Sequence, residues 1–264
     1  MNEPILVSVD WLSSHLNDPN LRVIDARVSD PRLPMGYRSS HIPSAVPFDL
    51  NRDMYESTPS GPQIQPLDKI ARTLGERGIA NDSTIVLYDE GTGPLAGTVY
   101  WLLKYMGHDD VRVLNGGWHA WTQANAPTTK DVPQIQPTPY TAHMDETQHS
   151  TAEWIQENSS RDDVFLLDTR TEGEYYMGHI PGAANLSFDE SIDFATQGLK
   201  DNAVLCEQFE QVGATPDKEI VVYCGSGARS SQSYMVLKSL GYPRVRNYKG
   251  SMMDWAQRRG LPLE

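Results

Sequence analysis

The stretch Glu219-Ile220-Val221-Val222-Tyr223-Cys224-Gly225-Ser226-Gly227-Ala228-Arg229 sets an apolar, β-branched run directly against a glycine-rich turn, and a helix-like run over 230–240 follows. Short apolar runs that alternate with helical stretches predict parallel strands buried on both faces. In such sheets ligands sit outside the carboxyl ends of the strands, which is where Cys224 falls. A cysteine between a strand and a helix N-terminus faces backbone N–H groups and the positive end of the helix dipole. That setting favours the thiolate, the reactive form of cysteine. Gly225 and Gly227 let the backbone curl round the sulfur, and Arg229 adds positive charge at the far rim. The competing reading is a buried, inert cysteine at the end of a strand. It leaves the Gly-x-Gly turn and the arginine that follow in register without a purpose.

The same arrangement occurs earlier in the chain. Thr84-Ile85-Val86-Leu87-Tyr88-Asp89 lines up with Glu219-Ile220-Val221-Val222-Tyr223-Cys224, so Asp89 stands at the position of Cys224. Leu21-Arg22-Val23-Ile24-Asp25-Ala26-Arg27 pairs with Val164-Phe165-Leu166-Leu167-Asp168-Thr169-Arg170, each ending in Asp-x-Arg. His41-Ile42-Pro43-Ser44-Ala45 parallels His179-Ile180-Pro181-Gly182-Ala183. Gly116 with Trp121 echoes Gly250 with Trp255, and Ser8-Val9-Asp10-Trp11 returns as Thr151-Ala152-Glu153-Trp154. The order is conserved between the halves, so the chain is a tandem duplication. The expected domains are 1–127 and 148–264, joined by an extended linker over 128–147 that holds Pro133, Pro137 and Pro139. Helices are expected over 67–77, 98–106, 153–158 and 230–240. The proline-rich segment between His41 and Leu67 is expected to be an irregular loop.

Composition narrows the function. The chain has 264 residues, 39% hydrophobic and 22% charged, with a formal net charge of −13. That charge disfavours nucleic acid and anionic membranes, and any anionic substrate needs a local positive site, for which Arg229 is the candidate. A pairing of Arg229 with a neighbouring carboxylate is the alternative. No apolar stretch approaches the ~20 residues of a membrane span, and the first residues lack the pattern of a secretory signal. The two cysteines, Cys206 and Cys224, make no disulfide framework and fit a reducing cytoplasm. Neither they nor the seven histidines show metal-ligand spacing, so no metal or cofactor is expected.

The Asp-x-Arg strands, the Gly-His-Ile-Pro-Gly-Ala box, the strand ending in Cys224 and the closing Lys249-Gly250-Ser251 with Trp255 together resemble the rhodanese family of sulfurtransferases. The resemblance covers almost the whole chain and is to the tandem form. It implies an α/β fold of two rhodanese-like domains, each a parallel sheet flanked by helices on both faces. It further implies that the second domain is catalytic and the first, with Asp89, inactive. The family's catalytic cysteine maps onto Cys224, which would take a sulfur atom from a small anionic donor as a persulfide and pass it to a thiophilic acceptor such as cyanide or a thiol. The backbone N–H groups over 225–230 (Gly225, Ser226, Gly227, Ala228, Arg229, Ser230) would hold the persulfide charge, and Arg229 would contact an oxyanion of the donor. Many mammalian-type members carry a further arginine after Asp-x-Arg; here that position is Glu174, and no role is carried over to it.

Several assignments stay open at this stage. Lys249 either lines the pocket or is solvated, and Ser226 either contacts sulfur or substrate or is a turn residue. Asp168 and Arg170 are expected as a structural pair, His41 and His179 as packing residues, Trp101, Trp118 and Trp255 as core, and Cys206 as unreactive. For the donor, Cys-Gly-Ser-Gly resembles 3-mercaptopyruvate sulfurtransferases, whereas Ala-Arg-Ser resembles thiosulfate-type loops; the terminal arginine favours thiosulfate. A phosphatase is disfavoured, because its loop reads Cys-x5-Arg and here four residues separate Cys224 from Arg229. A non-catalytic binding module is the remaining class. A monomer is the default.

Overall fold

The apolar runs become the central strands of two parallel sheets. The computed structural model describes residues 4–27, 36–58 and 61–264; Met1 to Glu3, the segment 28–35, and Pro59 and Ser60 of the proline-rich segment lie outside the described residues. The chain divides into two units, Met1–Met144 with Thr196–Gly198, and Asp145–Ala195 with Leu199–Glu264.

In the first unit the elements are β1 Leu6–Val7, α1 Val9–His15, β2 Leu21–Asp25, α2 Gly36–Ser39, β3 Val46–Pro47, β4 Tyr55–Thr58, β5 Gly61–Ile64, α3 Leu67–Glu76, β6 Thr84–Tyr88, α4 Pro94–Tyr105, β7 Val111–Leu114 and α5 Gly117–Gln123. The main sheet runs β1-β7-β6-β2-β3, all parallel, with Val23 opposite Val86 and Asp25 opposite Tyr88. Its central strand β6 is buried from Ile85 to Tyr88, as a parallel strand covered by helices must be. α4 is buried from Ala96 to Leu103, so it is a core helix with no polar face.

The second unit repeats this plan with α6 Ala152–Asn158, β8 Val164–Asp168, α7 Glu172–Tyr176, β9 Ala184–Asn185, β10 Ile192–Asp193, β11 Gly198–Leu199, α8 Asn202–Gln211, β12 Glu219–Tyr223, α9 Ala228–Ser239 and β13 Val245–Asn247. Gly198, the first residue of β11, is grouped with the first unit. The parallel sheet runs β13-β12-β8-β9. β12 is buried throughout and α9 is buried from Ser230 to Leu237.

The duplication extends to side-chain detail. Ser8 and Thr151 cap α1 and α6 by accepting the Trp11 and Trp154 N–H groups at 3.1 and 3.2 Å. Arg27 and Arg170 each fork onto the aspartate two residues before, at 2.6 Å in both, and each also donates to a carbonyl of the turn ahead of its His-Ile-Pro sequence, Ser40 and Gly178. Tyr37 and Tyr175 donate to the Ala45 and Ala183 carbonyls at 2.9 and 2.7 Å, and their rings stack on His41 and His179 at 3.9 and 3.7 Å. The histidines are therefore packing groups whose Nδ1 atoms face the same tyrosines' carbonyl oxygens.

Two expectations need correction. The segment between His41 and Leu67 is not irregular. Leu50–Met54 forms a π-helical turn and β4 pairs with β5 as an antiparallel hairpin. Buried Asp53 organises it, receiving Arg77 at 2.6 Å, Arg52 at 2.9 Å and the Asp49 N–H at 2.8 Å, partners partly remote in sequence. The helix expected over 98–106 starts four residues earlier, because Pro94 suits a first helical position that needs no N–H donor. Residues 128–144 are irregular and mostly exposed, tied to the first unit by Thr129 with His41 and by the Thr138 N–H on the Gly75 carbonyl at 3.0 Å.

Candidate active site

Cys224 follows the last residue of β12, and the chain turns at once into α9. The turn closes because Gly227 takes φ +86°, a left-handed conformation; a Cβ there would lie 2.4 Å from the Lys249 carbonyl oxygen. The other wall comes from the segment after β13. Ser251, itself at φ +52°, accepts the Cys224 N–H through its hydroxyl at 3.0 Å, while the Met252 and Met253 N–H groups donate to the Cys224 and Gly225 carbonyls. The backbone on both sides of Cys224 is thus fixed by hydrogen bonds.

The sulfur sits inside this turn, with Cys224 only 1% exposed. The Gly227 N–H points at Sγ from 3.1 Å. Burial pushes the thiol pKa up, but the N–H and hydroxyl of Ser230, the N–H of Ser226 and the Lys249 ammonium outweigh it, and the net shift is downward. The turn therefore more than offsets the burial that would otherwise hold the thiol neutral.

A polar network supports the turn. Ser230 and Ser231 are fully buried; Ser230 Oγ donates to Asn247 Oδ1 at 2.7 Å, Asn247 Nδ2 donates to Ser231 Oγ at 2.8 Å, and Ser231 Oγ donates to the Gly227 carbonyl at 2.5 Å. Lys249 is 7% exposed and its Nζ donates to the same carbonyl at 2.8 Å, so the solvated alternative does not hold. Buried polar groups need such partners, and here each one aims the next.

Arg229 is at the rim, half-buried. Its Nη1 and Nη2 fork onto the Glu174 carboxylate at 2.6 and 2.7 Å, and that carboxylate, with the nearby Cys224, raises the Arg229 pKa. Arg229 holds the Glu174 carboxyl down at about 2. Glu174 is in turn the third residue of a capping box, accepting the Thr171 N–H at 3.2 Å while Thr171 caps its own N–H. The carboxylate partner considered for Arg229 from sequence is thus present.

Among the sequence candidates, Cys224, Gly225, Gly227, Arg229, Ser230 and Lys249 converge on the turn; Ala228 opens α9, and exposed Ser226 contributes its backbone N–H. Sequence reasoning missed Glu174, Asn247, Ser231 and the hydroxyl of Ser251. The Thr171-x-x-Glu174 spacing signals a capping box, but nothing in it announces the ion pair with a residue far along the chain. Among the described residues no cluster of metal-ligating side chains occurs.

At the end of β6, Asp89 fills the equivalent position. Its carboxylate accepts the N–H groups of Gly93 and Ala96 at 3.1 and 3.0 Å, so an anion occupies the corresponding nest from within. The intervening turn, Asp89 to the helix cap Gly93, is one residue longer than Cys224 to its cap Gly227.

Comparison with known proteins agrees with this architecture. The Rhodanese-like domain family matches residues 8–124 and 151–258. A sulfur carrier protein, TtuD, of Thermus thermophilus is 34% identical over 98% of this chain and 96% of its own. A thiosulfate sulfurtransferase of Pseudomonas aeruginosa is 31% identical over 99% and 97%. Among solved structures, the 3-mercaptopyruvate sulfotransferase SseA of Escherichia coli superposes with a TM-score of 0.85 at 26% identity, covering 94% of this chain and 99% of that one. With two parallel sheets, two family matches and relatives that span its full length, the chain belongs to the rhodanese family of sulfurtransferases as a tandem pair of rhodanese-like domains.

Proposed function

We propose that this chain moves a sulfane sulfur from thiosulfate to cyanide or a thiol through a persulfide on Cys224. The observation that carries the proposal is the Cys224 thiol itself: buried, yet with the Gly227 N–H pointed at its sulfur and its pKa drawn down by the surrounding N–H groups, the Ser230 hydroxyl and the nearby Lys249 ammonium. The thiolate attacks the outer sulfur of thiosulfate; the donor's S–S bond breaks and its electron pair leaves on sulfite. The product Cys224–S–S⁻ keeps one negative charge, held by the same donors, until cyanide or a thiol removes the outer sulfur. Two half-reactions with a covalent intermediate give ping-pong kinetics. In this reading residues 148–264 form the catalytic domain, 128–147 the linker, and 1–127 a non-catalytic domain whose Asp89 cannot form a persulfide. Two free cysteines support a reducing compartment such as the cytoplasm.

The test is mass spectrometry after thiosulfate treatment. A gain of one sulfur atom, lost on adding cyanide and absent in Cys224→Ser, supports the proposal; no adduct favours a binding module. 3-Mercaptopyruvate is the second donor, favoured by the Cys224-Gly225-Ser226-Gly227 turn and the SseA likeness. Comparing kcat/KM for the two donors decides between them. The turn's four residues between Cys224 and Arg229 argue against phosphoryl transfer.

A further inference from the structure

An arginine that is to receive a small dianion beside a reactive sulfur is normally free of a carboxylate partner. Arg229 already holds one. Glu174 takes both terminal nitrogens in a two-point fork, the geometry that a sulfonate or carboxylate of a substrate would use. The pair stands at the site: the guanidinium lies against the turn that follows Cys224, where a Cβ at Gly225 would be 3.2 Å from Arg229 Nη2. It is also accessible, with side chains 26% and 38% exposed for Arg229 and Glu174, so a solute can compete for it. The capping box holds Glu174 in place independently of Arg229. Three of the five guanidinium N–H groups remain outside the fork.

We propose that Glu174 is a specificity-determining residue of the sulfur-transfer site, a resident carboxylate that stands where the donor's anionic head binds and must share or yield Arg229 to it. The inference rests on the Cys224 persulfide reading above. In the first half-reaction the Cys224 thiolate forms a new S–S bond to the outer sulfur of thiosulfate as the old S–S bond breaks and sulfite departs with the electron pair. Thiosulfate arrives and sulfite departs as dianions, and the head gains charge as it takes the electron pair of the breaking bond. Glu174 opposes its binding at both stages, so it weakens donor affinity and hastens sulfite release by returning to Arg229.

Glu174→Gln isolates the charge. Glutamine serves in a capping box as glutamate does and still accepts one hydrogen bond from Arg229. Steady-state kinetics with thiosulfate and cyanide should show KM for thiosulfate lowered about fivefold, the effect of removing one partly exposed charge, with sulfite inhibiting at correspondingly lower concentration. Glu174→Asp, which keeps the charge, should stay near the native KM. An unchanged or raised KM in Glu174→Gln, or an equal drop in Glu174→Asp, overturns the proposal and leaves Glu174 as a prop for Arg229. Persulfide loading of the native chain is measured alongside. Loading with an unshifted KM refutes only the role of Glu174, whereas absence of loading from thiosulfate refutes the donor reading and this inference together.

Discussion

Lys249 Nζ donates to the Gly227 carbonyl oxygen at 2.8 Å, which buries an ammonium against the turn whose N–H groups face the Cys224 sulfur. A buried charge is costly unless compensated, and here the carbonyl and the thiolate supply the compensation. Lys249→Met keeps much of the side-chain volume and removes the charge, while Ser231 still donates to the Gly227 carbonyl. The thiol pKa should rise, which slows iodoacetamide alkylation below that pKa and moves the alkylation profile to higher pH. An alkylation profile that superposes on the native one would exclude Lys249 from stabilising the thiolate.

Ser230 Oγ donates to Asn247 Oδ1 at 2.7 Å and is among the polar groups that draw down the Cys224 thiol. Ser230→Ala removes the donor to Asn247 and a polar group beside the sulfur. The thiol pKa should rise again, and stability should fall by about 1–2 kcal/mol, because the buried Asn247 carbonyl oxygen loses its donor. Alkylation rate against pH and urea unfolding read the two effects separately.

Asp89 gives a dependence on pH that has nothing to do with sulfur. Burial raises its pKa to about 6, against the pull of the N–H groups of Ala96, Gly93, Leu95 and Gly91. Between about pH 4 and 6 the folded unit retains a proton that the unfolded chain has released. This group's stabilisation is therefore greatest at low pH and is lost as pH rises through 6. Asp89→Asn does not titrate, so relative to the native chain it should gain up to about 3 kcal/mol between pH 4 and 7. Amide-exchange protection of strand β6, corrected for intrinsic rates, measures that slope; a native–variant difference that is flat with pH would contradict it.

Asp168 and Arg170 form a buried pair beside the site, 2.6 Å apart. Asp168→Asn leaves the guanidinium buried and unpaired, which should cost about 3–5 kcal/mol in urea unfolding. Sulfur loading of the fraction still folded should be unchanged, since neither residue contacts the sulfur.

The sequence alone determined the duplication, the parallel α/β plan and the strand-end position of Cys224. These are carried by local properties: β-branched apolar runs, cap residues such as Ser8 and Thr151, and glycines where a turn needs positive φ. The placement of Asp89 opposite Cys224 follows from the same alignment. The wiring between distant segments was not legible. Glu174 on Arg229, Asn247 between Ser230 and Ser231, Ser251 on the Cys224 N–H and Asp53 beneath Arg77 each join residues brought together only by the packing of helices on a sheet. A side chain's charge can be read from its letter, but the partner that cancels or directs it is set by distance in three dimensions. Tertiary structure thus decided that Lys249 is buried rather than solvated and that Arg229 already holds a carboxylate.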